Sequence, residues 1–321
     1  MRRRRHAATD IGMRLVFFGT PEFAVLSLRA LHAAGHQIAG VVTQPDRARG
    51  RHHSVAVPSP IKQFATDAGL PLAQPDRPRG EEFATWLRAR NADLGVVVAY
   101  GHILLPELLA IPRLGMVNVH ASLLPRWRGA APIQWAIHAG DRESGVSIMQ
   151  MEAGLDSGPV YLRRALPIGE RENSASLAER LALLGAEALR DALPAIAARQ
   201  TPEPQDESLV TYAPKLTRDV ARIDWSRDAD AVARHLRAFD PVPGAWTTLR
   251  GLELKLFRGG PPTQGTNDAA PGTPTRHGDE LQIACGSGSL TVAEIQPAGR
   301  KRMSLRDWLN GGGLRGGEIF E

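Results

Sequence analysis

Residues 13–43 read MRLVFFGTPEFAVLSLRALHAAGHQIAGVVT, and the order of elements in this stretch decides the fold. Leu15 to Phe18 make a continuous apolar run of strand length. Pro21 then suits the first turn of a helix carrying Phe23, Leu26, Leu28 and Leu31, with Thr20 placed to cap it and Gly35 to close it. A second apolar strand, Ile38 to Thr43, follows at once. Strand, helix, strand in this order predicts an α/β domain with a Rossmann-like, mostly parallel sheet covered on both faces. The turn G-T-P-E-F holds one glycine where a dinucleotide fingerprint needs three, so NAD and FAD are disfavoured.

Outward from this stretch the alternation continues. Thr43 to Pro58 is a long polar loop with Arg47, Arg49, Arg51, His52 and His53, either a solvated connection or a functional loop. Metal binding by His52 and His53 is disfavoured, because adjacent side chains diverge and no Cys, Asp or Glu lies beside them. Helices are expected near Pro60 to Ala68, Glu81 to Arg90 and Leu105 to Ala110, with a buried strand from Asp93 to Tyr100. Two further strands, V-S-I-M-Q-M and P-V-Y-L-R-R-A-L, precede a long helix whose capping-box spacing is Ser176 to Glu179 and whose apolar face is Leu177, Leu181, Leu184, Ala188 and Leu193.

At Gln200 the composition shifts to the proline- and acid-rich T-P-E-P-Q-D-E-S, a linker with the boundary near residue 208. Ser226 is placed to cap a helix from Asp228 to Phe239. Short alternating runs then follow (Trp246 to Leu249, Leu252 to Phe257, Leu281 to Cys285, Leu290 to Ile295), which read as a small β-barrel, with 259–278 as a loop. The expected division is a disordered arginine-rich leader at 1–12, a catalytic domain at 13–199, a linker at 200–214 and a barrel domain at 215–321.

The chain of 321 residues is 43% hydrophobic and 23% charged, and no run approaches the roughly 18 apolar residues of a membrane span. Its one cysteine, Cys285, excludes an internal disulfide and points to a reducing compartment, the cytosol. Cys285 alternates with Leu281 and Ile283 and reads as a buried strand thiol. The net charge of +5 invites a nucleic-acid partner, but residues 1–12 carry four arginines against Asp10, which is 4 − 1 = +3 and leaves +2 for the rest. Those residues read as a tail, or as an upstream start before Met13, and bulk charge decides nothing about function.

The chemistry-bearing residues lie in Met116 to Pro132, M-V-N-V-H-A-S-L-L-P-R-W-R-G-A-A-P, and Glu152 to Val160, E-A-G-L-D-S-G-P-V. Val117 and Val119 alternate with Asn118 and His120, so a strand puts the amide and the imidazole on one face. Pro125 ends that strand, and a helix with Pro132 in its first turn resumes beyond. Asp156 sits between Gly154 and Gly158, in a loop that can fold tightly. Taken singly, each has a plain structural reading: a satisfied core histidine, a turn-capping asparagine, turn chemistry at the aspartate.

The compound pattern Asn-x-His-x-Ser-Leu-Leu-Pro, then Arg-Gly, then Gly-x-Asp-x-Gly resembles that of the folate-dependent formyltransferases. Among these the chain is most similar to the methionyl-tRNA formyltransferases, through F-G-T-P-E-F, T-Q-P-D-R, V-V-V-A-Y-G, R-G-A-A-P-I-Q-W, T-Y-A-P-K-L, A-R-I-D-W-S and Q-P-A-G-R-K, from Met13 to about Gly311. The resemblance implies a Rossmann-like catalytic domain and a C-terminal OB-like β-barrel. It implies formyl transfer from 10-formyltetrahydrofolate to the methionine of initiator methionyl-tRNA for translation initiation, by a monomer in the cytoplasm, with no metal, NAD or membrane partner. Asn118, His120 and Asp156 would be catalytic, Asn118 and His120 as oxyanion donors and Asp156 as the proton-handling group. Ser122, Leu123, Leu124 and Pro125 would hold the folate, and Arg51 and Lys215 would meet tRNA. Where the family's basic loop continues with glycine and lysines, this chain has His52, His53 and Ser54. Two rivals stand beside this reading: a sugar-nucleotide formyltransferase, and a non-catalytic RNA-binding protein on the same scaffold.

Overall fold

The computed structural model describes residues 12–49, 55–265 and 269–321. Residues 1–11 of the leader, and Arg51, His52 and His53, lie outside them. The chain forms two compact units. One comprises the residues up to Arg128, Gly145–Ala165 and Arg180–Thr211; the other comprises Gly129–Ser144, Leu166–Glu179 and Tyr212–Glu321.

The first elements in chain order are Arg14–Gly19 (β1), Glu22–Ala33 (α1), Gln37–Val42 (β2), Arg47–Arg49 (β3), Val55–Val57 (β4), Pro60–Asp67 (α2), Leu72–Ala73 (β5), Gly80–Arg88 (α3) and Leu94–Val98 (β6). Next come Pro106–Leu109 (α4), Met116–His120 (β7), Arg128–Gly129 (β8), Pro132–Ala139 (α5), Glu143–Gln150 (β9), Val160–Pro167 (β10) and Ser174–Ala197 (α6). A seven-stranded sheet has the order β10-β9-β7-β6-β1-β2-β5. The β1–β2, β1–β6, β2–β5 and β6–β7 pairs are parallel and β7–β9 is antiparallel, so the sheet is mostly parallel, as its apolar strands require. One face packs Val16, Phe18, Val42 and Val97 against Phe83, Ala84 and Leu87 of α3. At Gly40 on β2 the absent side chain leaves room for Trp86, whose ring edge would lie 2.9 Å from a Cβ there.

Several local expectations are corrected. The Thr20 hydroxyl donates to the Tyr100 carbonyl at 3.2 Å instead of capping α1, whose N-cap is Pro21 with no side-chain bond. The long helix starts at Ser174, and Asn173 Oδ1 accepts from Ser176 N at 2.9 Å, so the cap lies three residues before the expected Ser176. The polar loop after β2 carries a short antiparallel hairpin, β3 with β4.

Within the second unit lie Tyr212–Ala213 (β11), Ala229–Phe239 (α7), Ala245–Leu249 (β12), Leu252–Gly259 (β13), Pro274–His277 (β14), Glu280–Ala284 (β15), Ser289–Pro297 (β16), Met303–Ser304 (β17) and Leu305–Asn310 (α8). The antiparallel sheet runs β12-β13-β16-β15-β14, with β17 on β16. Strand β14 falls inside the run expected to be a loop, because its partner β15 supplies a ladder that Pro274-Thr-Arg-His277 alone does not announce. Asp228, not Ser226, caps α7: its side chain accepts from Ala231 N at 2.7 Å, while Ser226 donates to Asp224 at 2.6 Å. Cys285 is buried, and burial pushes its thiol up to about 11.

A buried imidazole and its half-buried neighbour in this unit predict a pH-dependent stability. His235 of α7 is 7% exposed and lies edge to face with His138 of α5, ring centroids 5.5 Å apart. Its Nε2 donates to the Ala221 carbonyl at 3.2 Å, and Asp224, Arg227 and His138 are the ionisable groups around it. Burial lowers the His235 pKa to about 4 and moves His138 in the same direction. Both rings fold in the neutral form. Their stabilisation is complete above the unfolded value near 6.5 and is lost as pH falls toward about 4, on the order of 2–4 kcal/mol for His235. Urea titrations between pH 7.5 and 4.5 should show this fall, and His235→Gln, which keeps an N–H for Ala221, should flatten it. An unchanged slope in the variant would remove His235 as its source.

Candidate active site

β7 delivers the amide and the imidazole. Its backbone pairs with β6 on one side and with β9 on the other, Asn118 opposite Met149 and His120 opposite Ser147. Asn118 is half-buried and His120 is 5% exposed, so the strand places a polar pair at its C-terminal end with solvent reaching only part of it. That is the sheet edge at which ligands of such folds collect.

The loop between β9 and β10 delivers the carboxylate. Asp156 has φ +47°, a left-handed conformation that aspartate tolerates better than most residues. A Cβ on Gly158 would sit 1.9 Å from the Gln150 carbonyl oxygen, so the loop closes this tightly only with glycine there. Asp156 Oδ2 lies 3.7 Å from His120 Nδ1. The three residues singled out in the sequence therefore include a pair that the fold brings together across 36 positions of chain.

The imidazole tautomer follows from its other contact. His120 Nε2 is 2.9 Å from the Trp127 carbonyl oxygen, which only accepts, so Nε2 carries a proton. Nδ1 is then the nitrogen that gains or loses one, and it faces Asp156. The Nε2–H of His120 is thus engaged by the Trp127 carbonyl.

The run Ser122 to Pro125 is tied to the protein at most of its polar groups. Ser122 Oγ donates to the Arg126 carbonyl at 2.6 Å, and Ser147 Oγ donates to Ser122 O at 2.7 Å while accepting from Leu124 N at 3.0 Å. Arg163 Nε donates to Leu124 O at 2.8 Å. The Leu124–Pro125 bond is cis. Leu124 is buried with Met149 and Val160, whereas Leu123 is half-buried over Gly145, where a Cβ would lie 2.5 Å from its Cδ2. Among the four, Leu123 and Pro125 retain partly exposed side chains. Lys215 is exposed, in the second unit, two residues past β11.

Sequence reasoning missed Gln205 and Arg128 as parts of this region. Gln205 Nε2 donates to the carbonyls of Asp156 at 2.8 Å and Gly158 at 2.7 Å, and its Oε1 accepts from Arg128 Nε at 3.0 Å. Gln205 stands in a linker-like run, 49 residues from Asp156, and no local pattern points to it. Arg128 was visible as the arginine of an Arg-Gly pair without a role. Among the described residues no group of three or more His, Cys, Asp or Glu is placed to hold a metal ion, and no helix is long and apolar enough to cross a membrane.

Known proteins resemble this chain in sequence and in fold. The Formyl transferase family model matches residues 13–193, and the model for the Formyl transferase C-terminal domain matches 215–313. A protein of Methylococcus capsulatus named methionyl-tRNA formyltransferase is 52% identical over 305 residues, 95% of this chain and 98% of that protein. One of the same name from Thiobacillus denitrificans is 49% identical over 306 residues, again 95% and 98% of the two chains. Among solved structures, HypX from Aquifex aeolicus in complex with tetrahydrofolic acid superposes with a TM-score of 0.65 at 20% identity, covering 95% of this chain and 48% of HypX. The N-formyltransferase of Helicobacter canadensis gives 0.64 at 15% identity, covering 89% and 99% of the two chains. At those identities the likeness is one of fold, but the models and the close relatives span both halves of the sequence, and the chain belongs to the formyl transferase family.

Proposed function

We propose that this chain transfers the formyl group of 10-formyltetrahydrofolate to the α-amino group of methionine on initiator methionyl-tRNA, in the cytoplasm and as a monomer. The observation that carries this reading is likeness to methionyl-tRNA formyltransferases at 45–52% identity along nearly the whole chain, second half included. A sugar-nucleotide enzyme shares the fold at 15–16% identity, which favours nothing about its substrate. The matched models at 13–193 and 215–313 support a catalytic domain at 13–199, a linker at 200–214 and a tRNA-binding domain at 215–321.

The residues fit the step. Attack of the amine on the formyl carbon forms the new C–N bond and places negative charge on the formyl oxygen and positive charge on the attacking nitrogen. Asn118 supplies an N–H to that oxygen. His120 keeps one proton on Nε2 toward Trp127, which leaves Nδ1 open to receive another. Asp156 and His120 Nδ1, facing each other at 3.7 Å, take the proton from the attacking nitrogen and return one to the folate nitrogen when its bond to the formyl carbon breaks. Protons and charges then balance over the cycle. Because its polar groups are already tied down, the Ser122 to Pro125 run serves as a fixed rim, with Leu123 and Pro125 offering apolar surface to the folate.

The direct test offers 10-formyltetrahydrofolate with charged initiator tRNA and, separately, with a nucleotide-linked aminosugar. Formylation of the tRNA is expected; turnover of the aminosugar alone would move the chain to the sugar enzymes. Arg51, proposed with Lys215 to meet tRNA, gives a second expectation. Arg51→Ala should weaken tRNA binding and shallow the slope of log K against log salt by about one unit while leaving folate affinity unchanged. An unaltered slope would place Arg51 outside the RNA contact.

A further inference from the structure

Gln205 lies between α6 and β11 and is only 9% exposed. A buried primary amide must place two N–H donors and one acceptor oxygen. Here all are placed: both donors go to the active-site loop, at Asp156 O and Gly158 O, and the oxygen goes to Arg128 Nε. Arginine carries donors alone, so the atom that faces Arg128 must be the oxygen and the NH₂ must face the loop. Arg128 is 3% exposed and is itself held by Glu207, through contacts of 3.2 and 2.7 Å to the two carboxylate oxygens. The direction of the chain from Glu207 to Arg128 to Gln205 to the loop is thus fixed by chemistry.

What the amide holds is a loop in an uncommon backbone conformation. Asp156 sits at φ +47°, and the carbonyls on either side of Ser157 both turn toward one nitrogen. Releasing them frees the Asp156 backbone to relax toward negative φ, which swings the carboxylate relative to His120. At 3.7 Å the pair lies within ion-pair reach but beyond hydrogen-bond length, so a shift of about 1 Å either way decides whether the two groups meet directly or lose each other.

We infer that Gln205, oriented by Arg128 and Glu207, is a positioning residue for formyl transfer: its amide fixes the 154–158 loop and through it sets the Asp156 carboxylate against His120. This rests on the reading of Asp156 as the proton-handling group. Nothing in Gln205 touches a reacting atom.

The test is a double-mutant cycle in the full-length enzyme, with kcat and each KM measured by varying one substrate, folate or tRNA, at saturating levels of the other. Gln205→Glu replaces two donors by lone pairs facing the Asp156 and Gly158 carbonyls while keeping an acceptor for Arg128. It should lower kcat by about 10- to 100-fold with the KM for folate unchanged. Gln205→Met removes the donors without adding charge and should show the same split, and it serves as the readout if the glutamate variant does not fold. In an Asp156→Asn background either change should cost little more, because the group being positioned is gone. The inference is overturned if both Gln205 variants keep wild-type kcat, if their cost falls on KM alone, or if the full cost persists beside Asp156→Asn. Asp156→Asn retaining wild-type kcat would instead sink the catalytic reading on which the inference stands, a separate and recognisable result.

Discussion

Asp156→Asn should lower kcat by about 10²- to 10⁴-fold while folate binding persists. The substitution is nearly isosteric, and the loop that carries it is held through backbone groups, the Asp156 carbonyl on Gln205 and the close approach of Gly158 to Gln150, which an amide side chain does not disturb. What changes is charge. His120 carries its fixed proton on Nε2 toward Trp127, so the second proton goes to Nδ1, 3.7 Å from Asp156 Oδ2. A carboxylate stabilises that second proton by its negative charge and can take it up; a neutral amide can accept its hydrogen bond but does neither of these. Single-turnover formylation with saturating folate isolates the chemical step from product release. A rate within a few-fold of wild type would return Asp156 to ordinary turn chemistry, the plain reading that its glycine flanks also allow.

The sequence made some of this legible and hid the rest for identifiable reasons. Asn118 and His120 could be placed on one strand because a period of two survives without any knowledge of neighbours, and β7 spans Met116–His120 as that alternation requires. The apolar runs of β1, β2 and β6 announced a parallel sheet in the same way. Caps were read less well. Near the starts of α6 and α7 two or more residues of capping type stand within a few positions, Asn173 with Ser176 and Asp228 with Ser226, and local preference does not choose among them. Tertiary partners overrode it at Thr20, whose hydroxyl finds the Tyr100 carbonyl 80 residues away. The hairpin of β3 and β4 and the strand β14 were hidden because runs of only three or four residues become strands only when a partner supplies the ladder. Gln205 was the least legible. Its meaning lies wholly in three contacts with residues 47 to 77 positions distant, and its setting among prolines and acids reads as linker.

His120→Ala should cost about 10²-fold or more in kcat, and it should also destabilise the fold, which makes the comparison with a second substitution necessary. The ring is 5% exposed and is the donor to the Trp127 carbonyl. Truncation removes that bond and leaves a cavity, a loss of about 2–3 kcal/mol for a buried side chain of this size. Trp127 itself adopts φ +66° with its N–H on Thr211 Oγ1 at 2.9 Å, so the turn from Leu123 to Arg128 depends on such tethers for its path. A drop in activity alone could therefore arise from a displaced rim and not from lost chemistry. His120→Gln separates the two. Its side-chain amide can donate to Trp127 O and so recover part of the melting temperature, but it cannot take up a proton opposite Asp156. The expected result is that His120→Gln melts above His120→Ala yet remains equally slow at saturating substrates. If the glutamine enzyme recovered wild-type kcat along with stability, the imidazole would be a strut for Trp127, and Asp156 would have to move the proton without it.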